Sequence, residues 1–160
     1  MNFLFRRFYK YYSKGTMDSI REDFSKITDT PWYDFRNNIT GSLDIDNSFR
    51  ITHKWTMGYI KGGGSFVYMT GEIKTENNQT IIETTVKPNI VIVFFLYFMV
   101  GPFLCELFGI KTMLEGPRFL MILTLALFSL ILLGLINVMG NGLRNRFERL
   151  LKLESLNNIS

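Results

Sequence analysis

The chain has 160 residues, about one ordinary domain, with 18 Lys and Arg against 14 Asp and Glu and a net charge of +4. A single cysteine excludes an internal disulfide, and one cysteine with one distant histidine leaves no Cys/His zinc set within the chain. In a chain with long apolar runs, so modest a positive charge suits orientation in a membrane and contact with anionic lipid rather than nucleic acid.

The charges are unevenly placed. Residues 1–89 hold 12 basic and 10 acidic residues, while 90–139 hold only Glu106, Lys111, Glu115 and Arg118. The last 21 residues turn basic again, with Arg144, Arg146, Arg149 and Lys152 against Glu148 and Glu154. This divides the chain into a basic-aromatic segment (1–15), a helix plus β-meander (16–88), an apolar hairpin (89–139) and a basic tail (140–160).

The opening residues "MNFLFRRFYKYYSKG" contain no apolar run of signal-peptide length and no small-residue cleavage site, so no cleaved signal is expected. On a helix, Phe5, Phe8 and Tyr12 would share one side while Arg6 and Lys10 took another. That pattern predicts a segment lying in the headgroup layer, with Arg6, Arg7 and Lys10 as candidate lipid contacts.

A helix follows. Thr16 is a candidate N-cap, and Met17, Ile20, Phe24 and Ile27 form an apolar stripe at helical spacing. Asp18, Glu22 and Asp23 favour its positive end and Lys26 the other; "TDTPW" ends it.

Residues 39–87 alternate with period two, the mark of strands with one covered face. Ile39, Gly41, Leu43 and Ile45 share one side, as do Phe49, Ile51, His53 and Trp55, and then Val67, Met69, Gly71 and Ile73. Turns are expected at Asp46-Asn47 and Asn77-Asn78, giving a meander of four or five antiparallel strands. So small a sheet needs the helix, a lipid surface or a second copy to cover its apolar face.

Several features in this region invite chemistry and do not carry it. "GYIKGGGS" lacks the Gly-Lys-Ser/Thr ending and the strand-to-helix context of a phosphate loop, and reads as a turn. His53 stands between apolar neighbours with no acidic partner to orient it, so it reads as a packed or pH-titrating histidine rather than a base. Asp44 and Asp46 are too few for a calcium loop. Asn38-Ile39-Thr40 matches a glycosylation acceptor, a frequent chance match. No catalytic residues, cofactor site or metal site emerge, and no enzyme is expected.

Residues 119–139 run for 21 positions without a formal charge, enough to cross a bilayer. Thr124, Ser129 and Asn137 are tolerable there, since hydroxyls can bond back to the preceding turn. Residues 90–110 form a second candidate span, interrupted by Gly101, Pro102 and Glu106. Pro102 removes one backbone donor and predicts a kink near Phe98, with Gly101 and Gly134 as candidate close-packing points. Glu106, four residues before the end of the run, reads first as interfacial and second as a proton- or ion-linked group in the membrane. The link "KTMLEGPR" is too short for a domain, so the two spans form a hairpin with both termini on one side. Arg144, Arg146 and Arg149 close behind it place those termini in the cytoplasm and are candidate lipid contacts as well.

The order "NITGSLDIDNSFRIT", "TGEI" and "TIIETTVKPN" before a paired apolar hairpin resembles small uncharacterised bacterial membrane proteins with a compact β domain followed by two spans. The resemblance covers roughly residues 35–139 and implies architecture, with no activity or site residues. An α+β membrane protein is therefore expected, integral to the cell membrane. Its small β domain would act as a binding or scaffold module, with the lipid bilayer and a protein partner or second copy as its contacts. The alternative is a small membrane effector, immunity factor or transport subunit that uses Glu106 and the kinked helix.

Overall fold

The computed structural model describes residues 5–13, 15–28, 38–54, 65–76, 79–109 and 117–155. Residues 58–64 of the "GYIKGGGS" stretch, Trp55, the Asn77-Asn78 turn and the link carrying Lys111 and Glu115 lie outside these residues. The chain forms two compact units, one from Met1–Pro88 with Met139–Ser160 and the other from Asn89–Val138.

The first unit is built on an antiparallel sheet. Its strands are β1 (Arg7–Ser13), β2 (Ile39–Leu43), β3 (Ser48–His53), β4 (Val67–Glu76), β5 (Gln79–Pro88) and the two-residue β6 (Glu154–Ser155), with α1 (Met17–Thr28) between β1 and β2. Their order is β2-β3-β4-β5-β1-β6. The expected meander is the run β2 to β5.

The register puts Ile39, Phe49, Ile51, His53, Met69, Ile73, Ile82 and Tyr11 on one face, and all of them are buried. The alternation read from the sequence is this face, with one correction. Ile45 lies beyond the end of β2 in the Asp44–Asn47 turn and is fully exposed. That turn is tightened by the Asp46 carboxylate, which accepts from the Ser48 N–H at 3.0 Å. Gly71 is required on the covered face, because a Cβ there would run into the Glu83 carbonyl and the Phe49 ring.

The N-terminal segment differs from its helical reading: Arg7–Ser13 is a strand, paired along its length with β5. The same residues alternate, and an unpaired β5 edge is satisfied by a strand rich in Tyr and Phe. Tyr11 faces the core at 0% exposure while Phe8 on the other face is 68% exposed.

Helix α1 begins as expected, with the Ser19 N–H reaching the Thr16 hydroxyl at 3.4 Å and the Ile20 N–H the Thr16 carbonyl at 3.1 Å. Its Ile20, Phe24 and Ile27 are buried. The rest of the cover comes from the other end of the chain. Helix α3 (Arg118–Leu150) runs 33 residues, about 50 Å at 1.5 Å per residue, well beyond the 21-residue apolar run. Residues 140–150 continue this helix. Leu143 and Phe147 are both 0% exposed, and the Phe147 ring lies 5.4 Å from Phe49 and 6.2 Å from both Phe24 and Tyr11. The helix closes on Lys152 at φ 49°, with the Leu153 N–H bonded to the Glu148 carbonyl, and the chain returns as β6 beside β1.

The second unit holds α2 (Ile90–Leu107) and the first part of α3, two helices long and apolar enough to cross a membrane. Asn89 caps α2 by accepting from the Val91 N–H at 2.9 Å, and Gly109 at φ 80° lies just beyond its end. Pro102 lies inside α2. Gly101 and Gly134 are not close-packing points, since a Cβ at either would have open space around it. The Thr124 and Ser129 hydroxyls donate to the carbonyls four residues back, at 2.7 and 2.8 Å.

Candidate functional site

One face of the sheet is covered by α1 and the end of α3. The opposite face carries a concavity of about 800 Å³ over β3, β4, β5 and β1. Two cross-strand rows form its floor: Arg50, Thr70, Thr85 and Phe8, then Ser48, Glu72, Glu83 and Lys10. Glu72 and Glu83 stand directly opposite one another, a repulsive arrangement in a sheet. Lysines relieve it. Lys74 Nζ lies 2.8 Å from Glu83 and 3.2 Å from Glu72, and Lys10 Nζ lies 3.3 Å from Glu83. Hydrogen bonds from Lys74 and then Lys10 hold the Glu83 carboxyl below its usual range, and those same carboxylates hold Lys74 above its own. The Arg50 guanidinium lies 4.1 Å from the centre of the Tyr68 ring. The surface thus offers paired charges of both signs beside an exposed phenylalanine. Among the described residues no three His, Cys, Asp or Glu side chains gather as a metal set.

The six basic residues singled out as candidate lipid contacts differ in their surroundings. Arg7 donates to the Asn141 side chain at 2.6 Å, and Lys10 belongs to the charge network just described. Arg144 Nε lies 2.7 Å from Glu148, and its guanidinium sits 4.4 Å from the centre of the Tyr9 ring. Burial works against the charge of Arg144, but Glu148, with Tyr11 and Tyr9 adding to it, outweighs burial and raises the Arg144 pKa. Burial, with Glu148 adding to it, pushes the Tyr11 phenol up. Arg6 and Arg149 are exposed and Arg146 is half-buried. The structure therefore joins β1 to α3 through Tyr9, Tyr11, Arg144 and Glu148, an arrangement the sequence reading missed. The only local signal for it was the Arg144–Glu148 spacing of four.

His53 is 4% exposed. Its Nε2–H donates to the Met139 carbonyl at 2.9 Å, since that partner can only accept. Burial lowers its pKa, and Arg146 adds to the effect, while the Met139 and Asn38 carbonyls oppose it.

Glu106, expected at the interface, is 5% exposed, whereas Leu104 and Leu107 on the same helix are 42% and 54% exposed. Its side chain is therefore covered by protein, unlike those of these two leucines. Pro102 lies four residues earlier in the same helix, and Cys105 beside it is half-buried.

No protein-family model, curated protein or solved structure matches this chain.

Proposed function

We propose that the protein is a membrane-anchored docking module: Asn89–Val138 sits in lipid, and the open face of the sheet binds a protein partner at the cytoplasmic surface. The observation that carries this is where the apolar surface lies. Among the described residues the exposed large apolar side chains fall almost entirely in Asn89–Val138, including Phe94, Phe98, Phe119 and Ile131. Outside that unit only Phe8, Tyr12 and Ile45 are of this kind. A core helix of a water-soluble protein would be mostly covered, yet 22% of the apolar window of α2 and 11% of that of α3 is buried. The chain leaves the first unit at Pro88 and rejoins it at Met139, which supports an even number of crossings with both flanks on one side. The basic residues Arg144, Arg146 and Arg149 favour the cytoplasm for that side.

The docking face is tested by placing a photo-crosslinking residue at Thr70 or Thr85 in the full chain in its native membrane, with Asp18 on exposed α1 as the control position. A discrete adduct, to another protein or to a second copy, is expected from Thr70 and Thr85 and not from Asp18. Equal labelling at all three positions sinks the docking face.

The burial of Glu106 favours a second reading, a small effector, immunity factor or transport subunit acting inside the membrane. Under the docking reading, Glu106→Gln leaves insertion and the Thr70 adduct unchanged. Infrared titration in nanodiscs separates the two. A carboxyl band at neutral pH that disappears in Glu106→Gln favours the membrane-acting reading.

A further inference from the structure

The end of α3 is held to the sheet at a point where the chain's one histidine meets the helix backbone. Three features coincide there. The His53 ring is buried and bonded to the Met139 carbonyl, the first residue of the returning segment. Gly142 faces the same ring, since a Cβ on it would lie 3.7 Å from Cε1, and a Cβ on Gly140 would lie 3.5 Å from Val86. Two glycines within three residues weaken the helix locally, by about 1 kcal/mol each relative to alanine. Beyond them, Leu143 and Phe147 carry the cover of the sheet.

We propose that His53 is a proton-operated latch: its neutral ring holds the 139–150 segment of α3 on the sheet, and taking up a proton favours a state in which that segment has lifted.

The charged group that bears on the ring from α3 is Arg146, which opposes a second positive charge. Lys54 follows His53 in the chain, β2 brings Ile39, which does not titrate, and the pairing of β4 with β3 ends at Tyr68, opposite Thr52. The Met139 and Asn38 carbonyls favour the protonated ring, but burial acts against it more strongly, so the closed segment binds the proton less well than the lifted one. The sign follows. Closure is fully supported above the ordinary histidine pKa of about 6.5 and is lost as pH falls through the lower value of the closed state. With one histidine in the chain, no other side chain of ordinary pKa titrates between about pH 7.5 and pH 5.5. Lifting uncovers the apolar face beneath Leu143 and Phe147.

The test is hydrogen exchange of the 143–150 amides in the full chain in nanodiscs, corrected for intrinsic rates. The opening constant should rise as pH falls below about 6.5, by no more than tenfold per pH unit, the limit for one proton. Arg146→Gln should reduce the rise by bringing the closed-state pKa back toward its ordinary value, and His53→Gln should abolish it. A pH-independent opening constant overturns the latch, as does an identical rise in His53→Gln. Should His53→Gln fail to fold, the ring proton titration of the unaltered protein decides: a midpoint at or above about 6.5 overturns it.

Discussion

Phe147 shows how much a single side chain can carry in this fold. Its ring stands in reach of Tyr11, Phe24 and Phe49, so it joins β1, α1 and β3 at one point. Phe147→Ala should destabilise the first unit by about 3–5 kcal/mol, because so packed a site cannot collapse around the void. Phe147→Leu, which keeps most of the volume, should cost less. Denaturant titration of the full chain in micelles, followed by tyrosine and tryptophan fluorescence, measures both. A loss below about 1 kcal/mol for the alanine variant would show that the ring is peripheral. Two partners of Phe147, Phe24 and Phe49, were legible in the sequence; Tyr11 and Phe147 itself were not. Phe49 and Ile51 declare themselves by alternation and Phe24 by helical spacing, both local signals. The burial of Phe147 depends on a contact with Phe49, 98 residues earlier in the sequence, and the charges around it disguise it as part of a basic tail.

At the scale of elements, two readings were ambiguous for a physical reason. Arg7–Ser13 is short, so its aromatics satisfy a helical spacing and a strand alternation equally. The exposed edge of β5 decides between them. The apolar run in α3 ends where the span is expected to end, but no proline follows Met139, and Leu143, Phe147 and Leu151 continue at intervals of four. That interval marks an amphipathic extension. Removing residues 140–160 should therefore strip the apolar face of the sheet while leaving both apolar helices intact. Such a chain should still insert in membranes, bind a hydrophobic dye and lose protease resistance in residues 16–88. A truncated protein with the protection of the full chain would show that α1 alone covers the sheet. The open face was less legible still. Lys10, Lys74, Glu72 and Glu83 read singly as solvated charges, and only the register reveals two glutamates opposed and two lysines relieving them.

Across the whole molecule, the chain forms one compact unit interrupted in sequence by another. This changes the basis for topology. Counting basic residues leaves a margin of a few charges, and Arg144 is already engaged with Glu148 and Tyr9, so reversing its charge would disturb folding as well as orientation. The interrupted unit gives a sturdier argument: Phe8 on β1 and Asn145 on α3 belong to the same unit and are both exposed. They must then lie on the same side of any bilayer, with Glu115 in the link on the other side if each apolar helix crosses once. In a Cys105→Ser background, Phe8→Cys, Asn145→Cys and Glu115→Cys can be treated one at a time with a membrane-impermeant maleimide. Glu115→Cys should react in intact cells, and the other two only in inverted vesicles. Phe8→Cys and Asn145→Cys reacting from opposite sides would refute the interrupted unit itself. Both reacting in intact cells while Glu115→Cys does not would keep the unit and reverse its orientation.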